Sequence, residues 1–121
     1  MSWGPVMWHV IHSWAVSYPD KPTDADIEGA RKYYNDLPGL IPCPRCAAHF
    51  ARILELDPVE PWLYSRRDLA EWTWRIHNTV SISLNKPSMS LDEFYNVWKP
   101  SFVTKATGGV VKRLYGMLAP Q

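Results

Sequence analysis

Cys43 and Cys46 are the only cysteines in 121 residues, and they sit in the stretch Ile41-Pro42-Cys43-Pro44-Arg45-Cys46. Three chemistries are open to such a pair: a structural staple, half of a metal site, or a redox-active dithiol. A Cys43–Cys46 disulfide closes a very short loop, worth at most about 2 kcal/mol through chain entropy before strain. Zinc would use Cys43, Cys46 and His49 at C-x-x-C-x-x-H spacing, with His77 as the fourth tetrahedral ligand. The dithiol has a physical reason for each part. Pro44 suits a first helical position, so the thiols fall at a helix N-terminus, where unpaired N–H groups and the dipole favour thiolate. No βαβ unit of the thioredoxin type can be read around the pair, so a dithiol here has to hand its electrons to another group. Seven Trp and six Tyr offer flat surfaces on which a planar ligand could lie.

The elements that would position these residues read as helices. The first is expected from Trp3 to Tyr18, with Ser2 as N-cap, Pro5 in the first turn and Pro19 as the stop. It carries two stripes, Met7, Ile11, Trp14 and Tyr18 beside Trp8, His12 and Ala15, so both sides are wanted for packing or for a ligand. A second helix is expected over Asp24 to Leu37, capped by Thr23 or Asp24 and ended by Pro38-Gly39. Ile27, Ala30, Tyr34 and Leu37 form its inward face. The third runs from the cysteines to Leu56. The fourth follows Ser65, carries Leu69, Trp72, Ile76 and Val80 at helical spacing, and stops before Pro87. A short fifth opens on the capping box Ser90-Leu91-Asp92-Glu93 and ends at Pro100. Short connections between such helices imply an all-α bundle. Residues 110–118 carry helical hints that Gly108-Gly109 weakens.

Composition narrows the function classes. With 46% hydrophobic and 21% charged residues, the chain is expected to fold as one globular domain. A formal charge of +1 with scattered basic residues speaks against gripping nucleic acid. No apolar run approaches the roughly 20 residues that span a bilayer. Ordered-looking sequence begins at Ser2-Trp3-Gly4-Pro5, which leaves no room for a secretory leader and makes the cytosol the expected compartment, with no membrane partner.

The motifs taken together resemble the Erv/ALR family of FAD-dependent sulfhydryl oxidases. Trp3-Gly4-Pro5, Trp8 and His12 come first, then Tyr18-Pro19. Pro42-Cys43-Pro44-Arg45-Cys46 with His49-Phe50 follows, and Trp74, His77-Asn78, Val80, Leu84 and Lys86-Pro87 close the series. The resemblance covers residues 3–99 in order and spacing and leaves residues 100–121 as a tail. It implies a four-helix bundle with a short fifth helix and FAD at the bundle mouth. It also implies electron flow from substrate thiols through the cysteines to FAD and then O2, giving a disulfide and H2O2. By position, Cys46 is the flavin-proximal sulfur and Cys43 exchanges with substrate. The positions matching the family's FAD contacts are Gly4, Trp8, His12, Tyr18, Cys46, His49, His77, Asn78, Val80, Leu84, Lys86 and Trp98. A homodimer through the first two helices is also implied.

Two departures stand out. Ser81 occupies the place where the family carries a second Asn, so a hydroxyl replaces an amide. The chain also lacks the extra cysteine pairs of many relatives, and this minimal form is similar to the oxidases of large cytoplasmic DNA viruses, which would place it in host cytoplasm or virion. With no shuttle pair in the chain, the expected reductant is a separate thioredoxin-like dithiol protein that reaches Cys43 itself. The alternative reading is a zinc-binding interaction module on Cys43, Cys46, His49 and His77.

Overall fold

The computed structural model describes residues 3–98. The expected N-cap at Ser2 and the tail 100–121 lie outside the described residues. Five α-helices follow one another: α1 (Trp3–Val16), α2 (Asp24–Asp36), α3 (Pro44–Leu56), α4 (Arg66–Ser83) and α5 (Leu91–Val97), with 3-10 turns at Leu37–Leu40 and Glu60–Trp62.

The helix starts follow side-chain chemistry. Thr23 accepts the Asp26 N–H at 3.1 Å while Asp26 accepts the Thr23 N–H at 2.9 Å, a reciprocal cap that puts the second helix's start at Asp24. Ser65 caps α4 through the Asp68 N–H at 3.1 Å. At α5, Ser90 accepts the Glu93 N–H at 3.1 Å. The first helix ends at Val16, two residues short of the expected Tyr18. Pro19 disfavours helical geometry in the residue before it, and the chain closes instead with Tyr18 N–H on Ala15 O at 3.2 Å. The second ends at Asp36, and Pro38 passes the chain into a tighter turn. The fifth stops at Val97, short of Pro100.

The core is the meeting of the anticipated stripes. Ile11, Ala15, Ala30, Tyr34, Leu37, Leu69, Trp72 and Ile76 are buried together, as is Phe94 from α5. Each fully buried large side chain contributes roughly 1.5–3 kcal/mol of transfer free energy. The aromatic residues also bring polar tips inside, and these are matched. Tyr34 Oη donates to Ile11 O at 3.0 Å, Tyr18 Oη to Leu63 O at 2.8 Å, and Trp72 Nε1 to Asp57 O at 3.0 Å. Asp57 then receives Arg75 through two bonds of 2.7 and 2.8 Å, and the guanidinium lies 4.4 Å from the centre of the Trp62 ring. This brace fixes the α3–α4 connection to the middle of α4 and leaves the other side of α4 to face α1.

Candidate functional site

Residues of α1, α3, α4 and α5 line a cleft of about 840 Å³. That volume lies in the upper part of the range typical of small-molecule and cofactor sites. Ten of the residues singled out by sequence line it: Gly4, Trp8, His12, Cys46, His49, His77, Val80, Leu84, Lys86 and Trp98. Ser81, the family departure, lines it too.

Tyr18 and Asn78 are not among the lining residues. Tyr18 is 3% exposed and directs its hydroxyl to Leu63 O in the core. Asn78 is engaged with the α4–α5 connection. Its amide nitrogen donates to Met89 O at 2.8 Å and its amide oxygen accepts the Met89 N–H at 2.8 Å. Trp74 Nε1 also donates to Met89 O, at 2.8 Å. Residue 89 is thereby pinned to α4 from both its backbone groups, and Met89 itself forms part of the cleft wall.

The cysteines divide across the rim. Cys46 lines the cleft and Cys43 does not. Cys43 is the N-cap of α3, with Pro44 at the first helical position, and its Sγ accepts the Cys46 N–H at 3.3 Å. Hydrogen bonding from the Cys46 thiol, and then from the Cys46 N–H, holds the Cys43 thiol below the usual range, with Arg45 adding in the same direction. Donating to Cys43 pushes Cys46 the other way. The Cys46 thiol, together with the N–H groups of the first turn, therefore makes Cys43 the sulfur that ionises first.

The same cleft holds an aromatic and imidazole stack. The Trp8 ring lies 4.0 Å from the His77 ring at an interplanar angle of 7°, and 5.7 Å from that of His12. His12 Nε2 and His77 Nδ1 are 2.8 Å apart, and His12 Nδ1 lies 3.1 Å from Thr73 Oγ1. Burial pushes the His12 pKa down to about 3, helped by His77 and His9. His77 is lowered to about 4, first by burial and then by the Lys86 charge. Both imidazoles are neutral at pH 7. Lys86 reaches the wall because α4 ends in a Schellman turn. Asn85 takes φ of 57°, Lys86 N–H returns to Ser81 O at 2.8 Å and Asn85 N–H to Ile82 O at 3.1 Å.

Sequence reasoning missed Trp3, Arg45 and Met89 on the cleft wall, and Thr73 behind it. Thr73 had a readable signal: it lies four residues before His77, on the same helical face.

Residues 5–99 match the Erv1 / Alr family. The chain belongs to that family. It is 34% identical over 84 residues to the "FAD-linked sulfhydryl oxidase ERV1" of Oryza sativa subsp. japonica, covering 69% of this chain and 42% of the rice protein. The chain thus spans less than half the length of that plant relative. To the "FAD-linked sulfhydryl oxidase" of African swine fever virus (isolate Warthog/Namibia/Wart80/1980) it is 29% identical over 103 residues, 85% of each chain. Among solved structures, the FAD binding domain of Erv1 from Saccharomyces cerevisiae superposes with a TM-score of 0.73 at 31% identity, covering 79% of this chain and 90% of that one. The all-helical Erv1 / Alr architecture expected from the motifs is therefore the fold observed. The zinc reading has no such support: among the described residues, no three His, Cys, Asp or Glu side chains converge as a metal site requires.

Proposed function

We propose that this chain is an FAD-dependent thiol oxidase in which Cys43 and Cys46 form disulfides in protein substrates. The observation that carries the reading is the division of the dithiol, with Cys46 on the cleft wall and Cys43 outside it at the helix cap. The residues present suit a flavin dinucleotide. Trp8 presents a flat ring and Lys86 a cation for the pyrophosphate. Trp3 Nε1 on the same wall is a buried donor with no hydrogen-bond partner among the described residues, and a bound acceptor would satisfy it. Gly4, His12, His49, Val80, Leu84 and Trp98 complete the proposed contacts, while Tyr18 and Asn78 support them from behind.

Bound there, FAD supplies two-electron redox chemistry, carrying the dithiol's electrons to O2 with formation of H2O2. The protein's own step is thiol exchange. A substrate thiolate attacks the Cys43 sulfur of the Cys43–Cys46 disulfide and expels Cys46 as thiolate at the cleft. The substrate's second thiolate then attacks its own sulfur in the mixed disulfide and expels Cys43. Helix capping makes Cys43 the better leaving group in that second exchange. Substrate leaves oxidised, and the pair is left reduced for the flavin.

The proposed reductant is a thioredoxin-like dithiol protein, since substrate must reach a sulfur at a proline-flanked corner. Residues 3–99 form the proposed catalytic domain. A homodimer through α1 and α2 suits the exposed Val6 and Val10 on α1. Among the described residues no helix is long and apolar enough to cross a membrane, and likeness to the viral enzyme supports a host-cytoplasm or virion location.

The test is purification followed by an absorption spectrum and a peroxide assay with a small dithiol. Flavin absorption and dithiol-dependent H2O2 are expected. Cys46→Ser should lower turnover by about three orders of magnitude or more. A colourless protein that takes up no added FAD would overturn the reading.

A further inference from the structure

The contact between the two buried histidines has a direction that follows from atoms behind them. Thr73 is fully buried, and its Oγ1 lies 2.7 Å from Ala70 O. Two oxygens that close require a hydrogen between them, and only the threonine has one, so Thr73 donates to Ala70 O. Its oxygen is then left as an acceptor for His12 Nδ1, at 3.1 Å. His12 therefore carries its proton on Nδ1 and presents a lone pair at Nε2. The 2.8 Å contact to His77 Nδ1 requires that His77 supply the proton. In a neutral His77 this leaves Nε2 bare. The opposite order would need the threonine hydrogen to leave Ala70 O, exchanging a short O–H···O bond for lone-pair repulsion at 2.7 Å and a longer contact to nitrogen. The Trp8 ring, 4.0 Å from that of His77 and nearly parallel to it, fixes the plane in which the free lone pair lies.

We infer that Thr73 is a positioning residue that fixes the tautomers of His12 and His77, so that His77 Nε2 meets the cleft as a hydrogen-bond acceptor and selects an N–H or O–H group of the bound dinucleotide. The inference rests on the proposed occupant of the cleft and deepens it. FAD offers donors on the flavin ring, the sugar hydroxyls and the adenine amine, whereas its pyrophosphate at pH 7 only accepts. His77 Nε2 therefore excludes the pyrophosphate from its side of the cleft and leaves it to Lys86. The histidine pair is neutral at pH 7 because burial depresses both pKa values, to about 3 for His12 and about 4 for His77. Nothing else among the described residues bonds His77 Nε2, so the acceptor is available to ligand.

Imidazole nitrogen NMR on 15N-labelled, FAD-free protein reads each tautomer directly. The expected spectrum has Nδ1–H on both His12 and His77. Adding FAD should move the His77 Nε2 resonance towards the hydrogen-bonded position, and adding inorganic pyrophosphate should not. Thr73→Val keeps the side-chain shape but removes the hydroxyl. It should mix the tautomers and raise the Kd for FAD about tenfold, while Thr73→Ser should restore both to within about twofold. If Thr73→Val fails to fold, the wild-type tautomers and the Thr73→Ser affinity still decide. A proton on His77 Nε2 in the FAD-free protein would overturn the inference. So would a Thr73→Val protein with unchanged tautomers and affinity. Failure of wild type to bind FAD would instead overturn the reading of the cleft, with the tautomers still scored by the same spectrum.

Discussion

Arg75 lies under the ring of Trp62 and His77 under the ring of Trp8, two residues apart on α4, yet the two arrangements dispose of their polar atoms differently. Arg75 gives two hydrogen bonds to Asp57, and Trp72 gives its indole proton to Asp57 O. Those groups close on one another at a half-buried corner of the protein. On the cleft side the same economy stops one atom short. Thr73, His12 and His77 satisfy each other in sequence, and His77 Nε2 is left without a partner among the described residues. Trp3 Nε1 is likewise left without a partner among the described residues. The difference teaches how one helix can serve stability on one face and ligand choice on the other. A closed polar network stabilises the fold, and an open one waits for something from outside.

That contrast can be broken most strongly on the closed side. Trp72 is 1% exposed, and Trp72→Ala should cost about 3–5 kcal/mol through cavity formation and loss of the Asp57 contact. The melting temperature of the FAD-free protein should fall by more than about 10 °C. Added FAD should raise the melting temperature of wild type and variant by similar amounts, because the cleft is untouched. A variant whose loss vanished once FAD was bound would show that the two faces are not separate.

A middle-sized effect belongs to the open side. Trp8→Ala removes the flat wall of the cleft and should reduce copurified flavin severalfold. The FAD-free melting temperature should fall by less than half as much as for Trp72→Ala. What should shrink is the gain on adding FAD, which for a ligand at one hundred times its Kd is about 2.7 kcal/mol. Calorimetry with and without FAD separates these outcomes, and an undiminished gain would remove Trp8 from the site.

A further effect concerns pH. In the fold, burial holds His12 at about 3 and His77 at about 4; in the unfolded chain each takes up a proton near 6.5. Between those values the unfolded state binds more protons, so lowering the pH draws the equilibrium towards it. Stability from these two residues is therefore complete above pH 6.5 and declines as pH falls towards 4. The melting temperature should drop over that window, and less in His77→Gln. Lys86 adds positive charge near the pair and works in the same direction. A drop of equal size in wild type and His77→Gln would assign the acid sensitivity elsewhere.

Much of this architecture is visible in the residues themselves because local physics decides it. Caps at Thr23, Ser65 and Ser90 set helix starts, and Pro44 sets the dithiol at the head of α3. Trp8 and His12, four apart, share a face wherever that helix goes. What spacing alone does not disclose is which partner a polar group meets after packing. Tyr18 meets a carbonyl 45 residues away, and Asn78 meets both backbone groups of Met89. Both fit a cofactor motif by type and position, yet their polar atoms are engaged with backbone in the fold. Thr73 shows the converse. Its spacing puts it on the helical face of His77, but the partner it meets emerges only when α1 brings His12 against it.

The bond from the Cys46 N–H to the Cys43 sulfur ties electron transfer to the start of a helix. A thiolate accepts such a bond better than a disulfide sulfur does, so the first turn of α3 is most tightly closed when the pair is reduced. Linkage makes the relation reciprocal: whatever secures that turn also favours the reduced pair, and whatever loosens it favours the oxidised one. A docking substrate that shifts the Pro42–Pro44 corner would then change the driving force of its own oxidation as well as its access to the sulfur.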